Sequence, residues 1–283
     1  MTRSVLASAS MNAGDVKFAG SIPVIYERHL VPLLFEPYAR DLAARLAGLE
    51  SGRLIEVAAG TGALTRAIAG ALPSPVEMVA TDLNEAMLRV AEANFKAEND
   101  RSIRFQHADA RSLPFDDASA DAVVCQFGIM FLPDKLAAFR EARRVLRARG
   151  RYIFNSWDQL AKNELSEIVA AAVAQLFPSD PPTFYERMPF GYADVEAIRS
   201  DLERAGFTHI AIETVQKTAR APSADDAAFG LCQGTPLRNE IEARNPELLE
   251  PATRRAADAI RARYGNGAFE HSMSAHVATA SLS

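Results

Sequence analysis

Leu54-Ile55-Glu56-Val57-Ala58-Ala59-Gly60-Thr61-Gly62 is an apolar run that closes on a glycine turn. The run reads as a buried strand. Ala63 to Ala71 follows at once with helical spacing. A second apolar run, Val76-Glu77-Met78-Val79-Ala80-Thr81, ends at Asp82, twenty residues after Gly62. Glycines at such a turn let the backbone approach a bound molecule closely. A carboxylate at the end of the next strand can accept hydrogen bonds from hydroxyl groups.

Strand and helix keep alternating beyond Asp82. Asn84 to Glu98 reads as a helix with Asn84 as its N-cap. Ile103 to His107 and Asp121 to Phe127 read as strands, and Pro133 as the first turn of a helix running to about Arg147. Gly150 ends that unit, and Arg151 to Asn155 is a fifth strand. This order predicts an α/β, Rossmann-like, seven-stranded, mostly parallel sheet with helices on both faces. Strand, glycine turn and distant acid are the arrangement by which such a sheet holds an adenosine.

Upstream, apolar residues from Ile22 to Leu49 recur at helical spacing, with breaks expected at Pro32 and Pro37. Downstream, Leu160 to Phe177 reads as a helix and Pro178 to Gly191 as a loop rich in aromatics. A helix from Ala193 closes at Gly206, and Phe207 to Val215 is a sixth strand. Two or three helices between Asp225 and Tyr264 follow, and Ala268 to Ala280 supplies a last strand. Val5-Leu6-Ala7 is too short for the apolar region of a secretory signal, and a frayed or ligand-dependent N-terminal segment is expected.

The 283 residues suffice for one large domain, or for a core with an added subdomain. A net charge of −5 argues against nucleic acid as a partner. The series Arg143, Arg144, Arg147, Arg149 and Arg151 sits at a helix C-terminus, where dipole complementation and a solvated face explain it. Two distant cysteines, Cys125 and Cys232, allow no disulfide framework, which fits a reducing cytoplasm. No apolar run has transmembrane length, so a membrane is not an expected partner. A homodimer is left open.

Four motifs, spread over roughly residues 50 to 157, resemble those of class I S-adenosylmethionine-dependent methyltransferases. Within that family they are most similar to the small-molecule branch that includes the ubiquinone and menaquinone biosynthesis enzymes (methyltransferase type 11). The first is Glu56 to Gly62, in which Ala58 stands where the family has its first glycine. If that position needs a positive φ, the methyl costs about 1 kcal/mol. The others are Ala80 to Leu88, His107-Ala108-Asp109-Ala110 before Leu113-Pro114-Phe115, and Asp121 to Pro133. The run Arg144 to Arg151 resembles the family's link into the fifth strand.

The resemblance implies the following roles. Glu56 and the loop through Ala58, Gly60 and Gly62 hold the methionine end of S-adenosyl-L-methionine. Asp82 takes the ribose hydroxyls, and Leu83 packs on the adenine. Asp109 accepts from the exocyclic amine, and the Ala110 N–H reaches the ring. Gln126, at the end of the fourth strand, lies beside the transferred methyl. The implied organisation is an N-terminal helical cap over 1–50, a cofactor-binding core over 51–158, a substrate lid over 159–192, and the rest of the core with extra helices over 193–283. The product is S-adenosyl-L-homocysteine.

Methyl transfer from a sulfonium releases a neutral thioether, so neither an acid nor a metal is needed. The protein must align the nucleophile and exclude water. A base matters only for a hydroxyl or an acidic carbon. His29 is one candidate, on the segment expected over the cofactor, with Tyr26 a turn away. Both have an alternative reading as packing or surface residues. Trp157, after the fifth strand, and Tyr185, Phe190 and Tyr192 in the insertion are candidate substrate contacts, or else the insertion's own minor core. His271 and His276 are five apart in a strand, so they face opposite ways and make a poor metal pair.

Two other readings stay open from sequence. An NAD(P)-dependent oxidoreductase expects G-x-G-x-x-G, but Thr65 occupies the third glycine position, and Asp109 is left unexplained. A cofactor-binding module without turnover would keep the same motifs. An RNA or protein substrate is disfavoured by the charge. The substrate is expected to be a small organic molecule, methylated on oxygen, nitrogen or carbon.

Overall fold

Leu54, Ile55 and Val57 are buried, and they place β1 (Gly52–Val57) in the middle of a sheet. The structure is a computed structural model that describes residues 14–98 and 101–282. The Val5-Leu6-Ala7 stretch lies outside the described residues. β1 is flanked by β2 (Val76–Asp82) and β4 (Ala120–Gln126), both parallel to it. β3 (Arg104–His107) extends the β2 side, and β5 (Leu146–Trp157) extends the β4 side. The full order is β3-β2-β1-β4-β5-β7-β6, with β6 (His209–Ala221) and β7 (Phe269–Ser281) antiparallel to one another. The chain winds outward in both directions from β1 and β4, so a crevice opens at their carboxyl ends.

β7 runs against β5, and Trp157 at the end of β5 pairs with Ala275. The first residues of β7, Phe269 to Met273, therefore overhang the carboxyl edge of the parallel strands. Helices α3 (Ala63–Ala71), α4 (Glu85–Glu98), α5 (Lys135–Val145) and α8 (Val195–Ala205) follow their strands as the alternation predicts. Asn84 caps α4 through Oδ1, which accepts from the N–H groups of Ala86 and Met87. α8 closes at Gly206, with φ 93°.

Over the carboxyl edge lies a helical cover with three sources. The N-terminal stretch supplies α1 (Ile22–Ile25) and a π-helical segment (Tyr26–Phe35), and then continues as α2 (Glu36–Ala44), which packs beside α3 on a face of the sheet. The insertion supplies α6 (Glu164–Ala174), within the expected helix, and the short α7 (Phe184–Arg187), where a loop was expected. Between β6 and β7 come α9 (Ala224–Gln233), α10 (Leu237–Arg244) and α11 (Leu249–Tyr264). α11 packs on α6 and α9, and α9 packs on the π-helical segment.

Several local expectations are corrected. Pro32 does not break the N-terminal helix. It sits inside the π-helical turn, whose wider winding moves the preceding carbonyls away from the proline ring, and Pro37 occupies the first turn of α2. Pro133 lies outside α5, whose N-cap is Asp134, accepting from the Ala137 N–H. Gly150 lies within β5. The helix expected from Leu160 to Phe177 is split at Asn163, whose side chain is bonded to both backbone groups of Ser274. Of the arginine series, Arg143 and Arg144 do lie in the last turn of α5, as expected, and most members also make specific contacts near the amino edge of the sheet. Arg144, for example, donates to Glu141, Asp117 and the carbonyls of Leu113 and Phe115.

Candidate active site

The glycine turn leaves β1 with Ala58, Gly60 and Gly62 all at positive φ, 54°, 57° and 86°. The alternation forces the chain into a tight loop, closed by the Ala59 N–H on the Thr81 carbonyl and the Gly62 N–H on the Ala59 carbonyl. Ala58 is held in that left-handed conformation despite its methyl. Its counterpart at the end of β4, Phe127, also has a positive φ, 50°. Two strained non-glycine residues thus sit side by side at the switch point of the sheet, where strain of this kind gathers at functional sites. Gly62 has a packing reason as well, because a Cβ there would lie 3.1 Å from the Ala91 Cβ of α4.

Asp82 closes the loop from the neighbouring strand. Its Oδ2 accepts from the Gly60 N–H at 2.8 Å, and its Oδ1 from the Asn84 N–H at 2.7 Å. Burial raises its pKa, and the backbone N–H groups oppose that. Glu56 is fully buried beneath the loop. Its Oε2 accepts from the Thr65 hydroxyl at 2.6 Å. Burial pushes the Glu56 carboxyl up to about 8, against the Thr65 hydrogen bond, and the charge of Asp82 adds to the rise. Two acids held close in low dielectric favour a cationic guest.

Three buried acceptor atoms around this loop have no hydrogen-bond partner among the described residues: Glu27 Oε2, Thr61 Oγ1 and Gln126 Oε1. Gln126 is anchored by Nε2, which donates to the Phe35 carbonyl. Glu27 is anchored by Arg66, whose guanidinium also donates to the Thr61 carbonyl. Unpaired buried acceptors are uncommon in folded proteins. Here they surround a turn already lined by two acids, and that donor-poor setting fits the ammonium and sulfonium of S-adenosylmethionine. Leu83, next to Asp82, is 57% exposed. An apolar face left bare beside Asp82 fits an adenine ring. Its backbone carbonyl is within 3.0 Å of His107 Nε2. Asp109 lies just past β3, with both oxygens on the Arg111 guanidinium, which lowers its pKa. Ala110 is buried next to it.

Beside the loop lies a small, mainly apolar cavity. Its walls are aromatic. Trp157 stacks on Phe127 at 3.8 Å between ring centroids, and Tyr26 stacks on Phe35 at 4.9 Å. Phe18, Phe131, Phe184, Tyr185 and Phe190 complete the rings. Thr235 and His271 are among the few polar side chains in the wall. The Asn84 side chain holds the Phe18 carbonyl, tying the cover to the turn after Asp82.

The structure therefore brings Tyr26, Trp157, Tyr185 and Phe190 to one cavity. Tyr26 also faces the cofactor loop, and burial, then the charges of Glu27 and Asp82, raise its pKa. Two expectations are corrected. His29 turns away from the cavity: its Nδ1 is 2.8 Å from Asp226, and its ring packs edge-on to Phe229 of α9. Tyr192 also lies outside the cavity. Its hydroxyl donates to Asp201, and Lys135 covers its ring. Cys125 is buried with its thiol pushed up to about 12 by burial, an inert apolar residue. Missed from sequence were Phe18, Phe127, Phe131 and His271. Phe127 was within a recognised motif, but nothing local marked its ring as part of a wall. His271 reaches the cavity only because β7 overhangs the sheet edge.

Residues 55–154 match the family model described as a methyltransferase domain. The chain is 27% identical over 190 residues to the ubiquinone/menaquinone biosynthesis C-methyltransferase UbiE of Idiomarina loihiensis, covering 62% of this chain and 73% of that one. It is 31% identical over 167 residues to the demethylmenaquinone methyltransferase of Clavibacter sepedonicus, covering 56% and 66%. In structure it resembles a putative S-adenosyl-L-methionine-dependent methyltransferase of Methanococcus maripaludis, with a TM-score of 0.54, 25% identity, and coverage of 73% and 91%. It also shares its fold with Haemonchus contortus phosphoethanolamine N-methyltransferase 2 in complex with S-adenosyl-L-methionine, with a TM-score of 0.56, 14% identity, and coverage of 93% and 56%.

Proposed function

We infer that this chain, a class I S-adenosylmethionine-dependent methyltransferase, methylates a small, largely apolar ring compound held in the aromatic cavity between Trp157 and β7. The observation that carries the reading is the adjacency of two unlike sites. One is a loop ringed by carboxyls and unpaired acceptors, and the other is a mainly aromatic chamber beside it. The relatives named above serve ubiquinone and menaquinone biosynthesis, and a flat ring of that kind suits an aromatic chamber.

When bound, the cofactor supplies an electrophilic methyl on a positively charged sulfur. The chain's residues do the rest. Glu56, Gly60 and Gln126 hold the methionine end, Asp82 the ribose, and Leu83, Asp109 and Ala110 the adenine. Tyr26, Phe35 and Phe127 stand between cofactor loop and cavity, where their faces can stabilise the sulfonium and exclude water. The leaving thioether is neutral, so none of these residues has to protonate it.

The oxidoreductase reading finds no support among the relatives, which are methyltransferases. No described helix is long and apolar enough to cross a membrane. We place the enzyme in the cytoplasm on its two separate, buried, free cysteines. The test is transfer of isotopically labelled methyl from S-adenosylmethionine to pooled small-molecule extracts. Label in an organic-extractable product supports the reading, and label in RNA or protein alone contradicts it.

A further inference from the structure

His271 stands on the overhanging start of β7, in register with Ala219 of β6, and lines the aromatic cavity. It is only 3% exposed. Its Nε2 lies 3.2 Å from the Leu33 carbonyl oxygen, on the π-helical segment. A carbonyl can only accept, so Nε2 carries the hydrogen. In the neutral ring Nδ1 is then a bare lone-pair acceptor. That Nδ1 is buried and has no partner among the described residues.

Three other polar side chains in the wall are already engaged. The Tyr185 and Thr235 hydroxyls both donate to the Leu231 carbonyl, and the Asn163 amide is bonded to the backbone of Ser274. A buried acceptor costs stability unless something donates to it. In a chamber of rings, a substrate hydroxyl is the donor that would satisfy it. We propose that His271 is the specificity-determining contact of this enzyme, its Nδ1 receiving the hydroxyl hydrogen of a flat aromatic substrate, so that hydroxylated rings are selected over equally apolar rings without a donor. The proposal rests on the reading that this cavity holds the methyl acceptor.

The test uses two probes of nearly matched shape, 1-naphthol and 1-methylnaphthalene, of which only the first has a hydroxyl hydrogen to donate. Retention by the full chain is measured by equilibrium dialysis at saturating S-adenosylhomocysteine. The wild-type chain should hold 1-naphthol about tenfold more tightly. His271→Leu should reduce that ratio to near one. His271→Asn, whose amide oxygen can stand where Nδ1 stood, should recover part of it, which a merely structural role would not do. Equal retention of the two probes by the wild-type chain, no retention of 1-naphthol, or a ratio that survives in His271→Leu overturns the proposal. Calorimetric binding of S-adenosylhomocysteine to the same samples separates the two levels. Its absence in the wild-type chain sinks the methyltransferase reading itself, whereas its presence with no hydroxyl preference sinks only the role of His271.

Discussion

Gly128 lies so close to Ala58 that a Cβ built on it would fall 2.4 Å from the Ala58 Cβ. The ends of β1 and β4 therefore touch, and neither can move without the other. The loop after β1 and the wall after β4 are built on that contact, which joins the glycine loop to the cavity. Gly128→Ala should force the two strand ends apart. We expect a loss of about 1–3 kcal/mol of stability, read by urea denaturation, with a disproportionate loss of cofactor affinity.

Ala58 gives the opposite prediction. It is the residue where the family pattern has a glycine, and it holds φ 54°. Ala58→Gly should relieve the left-handed strain and stabilise the fold by about 0.5–1 kcal/mol, after the added chain entropy of the unfolded state is counted. Thermal melting checks this. A destabilised variant would show that the methyl contributes packing against Gly128 that outweighs the strain.

Glu56 links cofactor binding to pH. Its carboxyl is raised to about 8, mainly by burial, so near neutrality the folded protein holds the proton. The bound cofactor's ammonium favours the carboxylate, so binding should release that proton. Affinity should rise with pH up to about 8 and level off above it. The slope approaches tenfold per pH unit where one full proton is released. Calorimetry in buffers of different ionisation enthalpy measures the proton directly. Glu56→Gln should bind more weakly and with a flatter pH profile. The same shift makes Glu56 a group that favours folding at low pH, with its contribution lost as pH rises from about 4.5 through 8.

His271 behaves oppositely with acid. Burial lowers its pKa to about 4, against the Leu33 carbonyl, which acts to raise it. The unfolded chain takes up the proton first, near pH 6.5. The contribution of His271 to stability is thus complete above about 6.5 and is lost as pH falls toward 4, by at most about 1.4 kcal/mol per pH unit. His271→Asn should show a shallower loss over that window than the wild-type chain in acid denaturation.

Arg187 pins the start of the cover. Its guanidinium bonds the buried Asp15 at 2.6 and 2.9 Å and also meets Glu240 of α10. Removing it takes a cation from the buried Asp15 and from Glu240, which keeps the Thr183 N–H and Arg244. Arg187→Met should destabilise the fold by about 1–3 kcal/mol in urea denaturation. It should also weaken cofactor retention, because the segment from Asp15 leads to Phe18 and Tyr26 over the loop.

The strand, glycine turn and closing acid were legible in sequence because their determinants are local. A turn that needs Gly60 and Gly62, and an acid at the end of the next strand, leave their mark within about thirty residues. The cavity was legible only in part. Trp157 could be placed because ligands gather at the carboxyl ends of parallel strands. Tyr192 could not be told from Phe190, because an irregular segment has no period to assign its faces. His29 and Tyr26 are three residues apart on one helical turn, and the winding there turned one outward. Pro32, read as a break, marks a π-helical widening, and sequence spacing alone does not distinguish the two. His271 depends on the overhang of an antiparallel strand that enters the sheet more than a hundred residues after Trp157.

The central claim is that the loop between Glu56 and Asp82 binds S-adenosylmethionine. Calorimetric titration of the wild-type chain and Asp82→Ala with S-adenosylmethionine, S-adenosylhomocysteine and NAD tests it most directly. The account predicts binding of both sulfur nucleotides in the micromolar range, abolished in Asp82→Ala, and none of NAD. Binding of NAD in their place, or undiminished binding of the sulfur nucleotides to Asp82→Ala, would contradict it.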